Sequence, residues 1–335
     1  MEIRSSLLTS NVASRQITLS SIRDAASAVY EAAVRTPLVR VELPDGPAGA
    51  PQELYLKLET LQPIGSFKIR GAYNAVRQLT PAELQDGVWT VSAGNAAQGV
   101  AFAARRAGVP CSVLVMDTAP ETKLRAIERL GATVVKASYD ECWQAVEEHR
   151  SARMPGHLVH PFDDDDFISG NGTIALEIVE DLPDVDAVVA PLGGGGLLGG
   201  VAVGIAALRP DARIYAAEPE TAAPLSASIA AGAASRFDGW KPSFVDGAGG
   251  RSVLPSMWPL LRDTIADSLI VSLEDAAAAM RLAAERVHVI VEGAAACAVA
   301  AACSRAMKDR GHRKVVAVVS GGNIAAKQAA AILAS

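Results

Sequence analysis

The chain of 335 residues holds four cysteines, at positions 111, 142, 297 and 303, with no Cys-x-x-Cys pair and no flanking histidine at metal spacing. Neither a zinc knuckle nor a disulfide frame is suggested by that spacing, and the thiols read as small buried apolar residues. Positive charge has no excess: 31 Lys and Arg stand against 37 Asp and Glu, a formal net charge of -6, with nothing denser than pairs such as Arg105-Arg106. No nucleic-acid partner is expected from that balance. Apolar runs stop short of the roughly 18 residues of a bilayer span, because Gly, Asp, Glu or Arg interrupts the Ala/Val-rich stretches. No membrane association is expected. Met1-Glu2-Ile3-Arg4 opens no signal-peptide pattern, and the expected location is cytoplasmic. Neither the Gly-x-Gly-x-x-Gly nor the Gly-x-x-x-x-Gly-Lys-Ser/Thr nucleotide pattern occurs at the glycine-rich loop described next.

What is present is a chain with 50% hydrophobic residues, enough for a large core divided between two domains. From Val88 onward, short β-branched runs alternate with longer amphipathic stretches, the pattern of parallel strands joined by crossover helices. Strands are expected at Trp89 to Val91, Cys111 to Met116, Ala132 to Lys136, Leu158 to Pro161, Asp186 to Ala190, Arg213 to Ala217 and Lys314 to Val319. Helices fall between them, with Gly108 and Gly131 placed as helix stops and Ser272 as the cap of a helix from Leu273. The segment 233–259 has no period and reads as an irregular loop beside a pocket.

Gly193-Gly194-Gly195-Gly196 follows the strand at Asp186 to Ala190 and precedes a helix start at Leu197. Four residues without Cβ let backbone N–H groups turn inward, and the helix adds the positive end of its dipole, so this loop is a phosphate cup. Ser92-Ala93-Gly94-Asn95 and Ser320-Gly321-Gly322-Asn323 also sit at carboxyl ends of expected strands, where a doubly wound sheet gathers its ligand loops. Upstream, Gly65-Ser66-Phe67-Lys68-Ile69-Arg70-Gly71 sets a lysine at a helix start, where the helix dipole helps lower an ammonium pKa.

Taken in order, Ser66 to Ala72, Ser92 to Ala96, Gly193 to Leu197 and Ser320 to Asn323 resemble the pyridoxal-phosphate (PLP) enzymes of the serine/threonine dehydratase family. His160-Pro161-Phe162-Asp163-Asp164, Gly172 to Glu177, Glu218-Pro219 and Val291 to Ala294 fit the same resemblance, which covers about residues 20 to 325. It implies an α/β fold of two doubly wound open parallel-sheet domains with the cofactor in the cleft between them (PLP fold type II). The implied division is a large cofactor-binding domain from 1–84 and 166–335, a small substrate-clamping domain at 85–165, and no C-terminal regulatory domain. A homodimer is implied as well.

By the same resemblance, Lys68 carries pyridoxal 5'-phosphate as a Schiff base and removes the Cα proton. Phe67 packs beside the ring, Asn95 bonds the phenolic oxygen, Gly193 to Gly196 with Leu197 bind the phosphate, and Ser320 meets the pyridine nitrogen. Ser92, Ala93, Gly94, Asn95 and Ala96 receive the substrate carboxylate. The implied reaction is α,β-elimination of water from L-threonine or L-serine to a 2-oxo acid and ammonia. Alternatives are a less common substrate such as 3-hydroxyaspartate or phenylserine, a PLP-dependent β-replacement, and, without PLP, a phosphosugar- or nucleotide-binding protein.

Two departures matter. Relatives that racemise serine carry Ser where this chain has Ala93, and the acid that completes a divalent-cation site after Glu218 is here Pro224, so no metal is expected. Three further readings concern charged side chains: Asp163 to Asp166 as a solvated turn, Arg251 as either a surface residue or a group that binds a carboxylate on the substrate's side chain, and Glu292 as either a helix cap or a group touching the cofactor.

Overall fold

The computed structural model describes residues 15–42 and 53–335. Its strands are β1 (Leu38–Val41), β2 (Glu53–Leu58), β3 (Val88–Val91), β4 (Cys111–Met116), β5 (Thr133–Ala137), β6 (His157–Leu158), β7 (Ala187–Pro191), β8 (Arg213–Pro219), β9 (Asp267–Val271) and β10 (Lys314–Val319). Six of them form one sheet in the order β1-β2-β10-β7-β8-β9, and the rest form a second in the order β5-β4-β3-β6. Every pairing is parallel except β1 with β2. The centre of the larger sheet follows from composition: β7 is buried throughout and β10 after its first residue, as continuous apolar runs covered on both faces must be.

Two helices pack behind the site, and the start of the first is marked in the sequence at Lys68. Lys68–Gln78 begins in the motif itself, while Asp165–Asp181 is buried almost all round and shows no polar face. They cross at glycine: a Cβ on Gly71 would stand 2.5 Å from the Phe167 carbonyl oxygen, and one on Gly170 would stand 2.6 Å from that of Arg70. This contact fixes the Lys68 helix against the interior. Residues two apart on a helix point roughly 200° apart, so Arg70 faces away from Lys68. Arg70 enters a fully buried cluster, donating to Glu59 at 2.8 Å and to Glu177 at 2.7 Å. Lys57 completes it, 2.7 Å from Glu177 and donating to the Thr36 carbonyl at 2.6 Å.

Several expectations need correction. The 158–161 strand shrinks to His157–Leu158, because the chain turns at His160, whose ring nitrogen accepts from the Asp163 amide at 2.7 Å. Asp163 to Asp166 is no solvated turn. Asp163 is buried, holding Arg15, His149 (3.1 Å) and Ser256 (2.6 Å), and Asp164 caps the Asp165–Asp181 helix through the Phe167 amide. Of the two alternatives for Arg251, the free surface residue does not hold, since the Trp240 and Tyr139 rings pack against its guanidinium. Cys111, Cys142 and Cys297 are buried as expected, and Cys303 is half-buried. Among the described residues, no helix is long and apolar enough to cross a membrane.

Candidate active site

The carboxyl ends of β3, β7 and β10 deliver the three loops. After β10, Ser320 to Gly322 zips against the segment before Lys68: Phe67 N–H donates to the Ser320 carbonyl at 3.0 Å, and Gly322 N–H to that of Gly65 at 2.9 Å. Gly65 has φ of 72°, and a Cβ there would stand 2.8 Å from Asn323 Oδ1, so both backbone conformation and space demand glycine. The zipper places Lys68 as the first residue of its helix, with no side chain capping that N-terminus.

The Lys68 ammonium lies 5.2 and 5.0 Å from the ring centroids of Phe67 and Phe167 and donates to the Pro161 carbonyl. No carboxylate among the described residues forms an ion pair with it. Burial pulls its pKa from about 10.5 to about 7, against the opposing charge of Glu292. A buried amine poised near neutrality can give or take a proton. Glu292 is its counterpart: burial pushes that carboxyl up to about 7 although Asn95 Nδ2 donates to both oxygens, at 2.8 and 3.1 Å. Glu292 occupies an N-cap position, yet its side chain makes no capping bond. The helix-cap alternative for this residue is thereby removed.

Asn95 begins the Asn95–Ala107 helix, and its Oδ1 accepts from Asn323 Nδ2 at 2.8 Å. Asn323 also donates to the Ile64 carbonyl at 2.8 Å, joining the 95 loop to the 64–67 and 320–323 segments. The motif Ser320-Gly321-Gly322-Asn323 could have flagged Asn323, but only Ser320 was assigned a role from it. Ser92 Oγ accepts from the Gly94 amide at 3.0 Å, and Ala96 is buried behind the loop. Among the described residues, no acceptor takes the amides of Asn95, Ala96 and Ala97.

The glycine loop shows the same feature more strongly. Gly195 has φ of 96°, and the Gly196–Leu208 helix starts without a side-chain cap. The amides from Gly193 to Leu198 have no acceptor among the described residues. Six other helices are capped by side chains, those of Thr18, Thr80, Ser138, Asp164, Ser272 and Ser304. Unspent donors at a glycine-lined helix start are an anion site. Phe162 closes over it, for a Cβ on Gly194 would stand 2.1 Å from that ring, and Phe162 follows the Pro161 that receives Lys68. The structure therefore brings Lys68 and the cup together through residues 161–162, and Lys68, Asn95 and Ser320 together through the zipper.

Ser320 is buried, and no hydrogen bond to its hydroxyl forms among the described residues; the Ser66 hydroxyl is buried and unpartnered too. Glu218, by contrast, is fully engaged, accepting from the Leu225 and Ser226 amides at 2.8 and 2.9 Å and from Ser268.

A neutral amine, an anion cup and unspent hydroxyls fit a phosphorylated aldehyde, and the comparisons agree. The family described as "Pyridoxal-phosphate dependent enzyme" matches residues 29–321. The L-threonine ammonia-lyase of Thermotoga maritima is 39% identical over 313 residues, 92% of this chain and 76% of that protein. The serine racemase of Homo sapiens is 36% identical over 279 residues, 82% of each chain. The crystal structure of serine racemase from Dictyostelium discoideum superposes with a TM-score of 0.81 at 33% identity, covering 92% of this chain and 99% of that one. The amine and cup thus sit in a chain that belongs to the pyridoxal-phosphate dependent enzymes of fold type II, in the serine/threonine dehydratase family, with pyridoxal phosphate as its cofactor.

Proposed function

We propose that the protein is a dehydratase that converts a β-hydroxy amino acid of the L-serine and L-threonine class into the 2-oxo acid and ammonia by eliminating water, with the side chain it prefers left to the loop over the site. The observation that carries this reading is the Lys68 amine, set near a pKa of about 7, together with alanine rather than a hydroxyl residue at position 93 of the 92–94 loop. Elimination needs one base to take the Cα proton, whereas inversion at Cα needs a second donor on the opposite face. Ala93, where serine-racemising relatives have serine, cannot be that donor.

When bound, pyridoxal phosphate supplies the electron sink that makes the Cα proton removable. The amides of Gly193 to Leu197 hold its phosphate, Phe67 packs beside its ring, and Asn95 bonds its phenolic oxygen. Ser320 presents a neutral hydroxyl to the pyridine nitrogen, which keeps the sink modest and favours rapid loss of the β-hydroxyl. Lys68 holds the cofactor covalently and then takes the Cα proton. The free amides of Asn95 to Ala97, with Ser92, hold the substrate carboxylate at a helix N-terminus. Residues 85–165 act as the clamp, with Pro161 and Phe162 as the part that touches Lys68 and the cup. The working form is a cytoplasmic homodimer, which light scattering checks.

The test incubates the purified enzyme with L-serine and L-threonine and measures 2-oxo acid, ammonia and D-amino acid. Ammonia and oxo acid in equal amounts, with little D-isomer, are expected. D-serine as the main product would reject the proposal in favour of racemisation.

A further inference from the structure

Arg251 lies in the 233–259 loop, with its guanidinium carbon 3.9 Å from the Trp240 ring centroid and 4.4 Å from that of Tyr139. Trp240 is fixed by its indole N–H, which donates to the Gly249 carbonyl at 2.9 Å, and Tyr139 opens the helix after β5 in the other sheet. The backbone is pinned as well, because the Arg251 carbonyl accepts from Phe237 at 2.8 Å and Ser252 bridges to Arg236. With two rings packed against the guanidinium, its N–H edge is what remains for a partner. Nε is buried without one, and among the described residues no carboxylate pairs with this guanidinium. The acid of the same loop, Asp246, pairs instead with Lys123.

The loop runs over the site. A Cβ on Gly193 would stand 2.7 Å from the Gly247 carbonyl oxygen, one on Gly250 3.6 Å from that of Gly193, and one on Gly247 3.5 Å from Glu292 Oε1. Arg251 follows Gly250 directly, so the residue that carries this unpaired guanidinium belongs to the stretch of loop that abuts the cup and Glu292. A guanidinium fork matches a carboxylate bidentately, and the packed rings have already removed the side-chain freedom that binding would otherwise cost.

We propose that Arg251 binds a second carboxylate, on the side chain of the substrate, so that the preferred substrates are β-hydroxy amino acids with an anionic side chain, of which 3-hydroxyaspartate is the smallest. The inference rests on the elimination reading for the reaction it names. Cα loses its proton to Lys68, the Cβ–O bond breaks to release water, and addition of water at Cα releases ammonia and leaves oxaloacetate.

The experiment compares kcat/KM for 3-hydroxyaspartate, L-serine and L-threonine in the holoenzyme and in its Arg251→Met and Arg251→Lys variants. A site built to hydrogen-bond a substrate group rejects analogues that lack it, so the wild-type preference for 3-hydroxyaspartate is expected to reach at least about 100-fold. That ratio collapses toward unity in Arg251→Met and recovers in part in Arg251→Lys, which keeps the charge without the fork. In parallel, absorbance titration of the holoenzyme with L-aspartate and L-alanine, neither of which has a β-hydroxyl, reads binding without elimination. Aspartate binds at least about tenfold tighter than alanine, and only while Arg251 is present. A wild-type preference for serine or threonine, or a ratio that the Met variant leaves unchanged while the melting temperature falls, would overturn the assignment and make Arg251 a structural staple. If no β-hydroxy amino acid is dehydrated but the aspartate preference still depends on Arg251, the elimination reading fails and the assignment survives.

Discussion

Lys57 and Lys68 both bring an amine into the interior, and they are treated in opposite ways. Lys57 ends on β2 between Glu177 and the Thr36 carbonyl, in a cluster where Arg70 and Glu59 satisfy the remaining charge. Lys68 reaches only a carbonyl and two aromatic rings, so it meets the desolvation penalty without a paired carboxylate. A buried charge that is paired holds structure, while one left without a partner becomes a group that gives up its proton. Arg70 and Lys68 belong to a single helix turn, which shows that a rotation of roughly 200° separates the two uses.

The same substitution, Lys to Met, breaks the comparison most sharply. Lys68→Met is expected to lower 2-oxo acid formation by at least about 1000-fold, since a positioned acid or base alone contributes 10²- to 10⁴-fold. Far-UV circular dichroism should remain native. Stability should move the other way: with a folded pKa near 7 against an ordinary 10.5, the unfolded chain binds more protons between those values. Stability of wild-type apoprotein therefore rises with pH from 7 to about 10.5, and the Met variant, more stable at pH 7, loses that slope in urea titrations. Lys57→Met should do the reverse, leaving Glu177 short of a partner and costing about 3–5 kcal/mol of unfolding free energy at pH 7. A Lys57→Met protein as stable as wild type would erase the distinction.

Why one lysine could be read in the sequence and the other could not is a matter of locality. Lys68, Asn95, the glycine loop and Ser320 each sit in a short motif of small residues, and backbone chemistry concentrates there. The Lys57 cluster is assembled from β2, the turn at Glu59, Arg70 and Glu177, so no window of sequence contains it. Arg70 was even quoted in the motif without its role, because its partner Glu177 lies on a helix whose burial on all sides hides its period. The fold follows the same rule. Apolar β7 and β10 announce the centre of a parallel sheet, whereas β1 runs antiparallel at the edge, where four residues with Arg40 outward carry little pattern. The surroundings of Asp163 and Arg251 are not legible locally, because His149, Arg15, Ser256 and Tyr139 reach them from other segments.

Glu292→Gln sharpens the catalytic side of the comparison with a smaller effect. The Glu292 charge raises the Lys68 pKa against burial, so its removal lets that pKa fall further. Uptake of pyridoxal phosphate by the apoprotein needs the neutral amine, and its rate should climb with pH through about 7. In the Gln variant the climb moves to lower pH, by up to about one unit, followed as growth of the cofactor absorbance. An unmoved midpoint would detach Glu292 from Lys68.

The smallest effect tests the structural side at its rim. Tyr30 donates its hydroxyl to Glu177 Oε1 at 2.8 Å, the oxygen that also accepts from Arg70, and burial with the Glu177 charge pushes the phenol up to about 12. Tyr30→Phe keeps the ring and removes one donor from a carboxylate that retains Arg70 and Lys57, so the expected loss is about 1 kcal/mol at pH 7. The sign with pH follows from a folded pKa above the ordinary value of 10: the contribution is whole below pH 10 and fades as pH rises through 12. Urea unfolding at pH 7 and at pH 10 or above should therefore show wild type and variant converging in alkali. Turnover should be untouched at any pH, since Glu177 transmits nothing to Lys68 across the helix. A change in the pH midpoint of activity in Tyr30→Phe would mean that the paired cluster and the unpaired amine titrate as one system, and the two faces of the helix would no longer be separate.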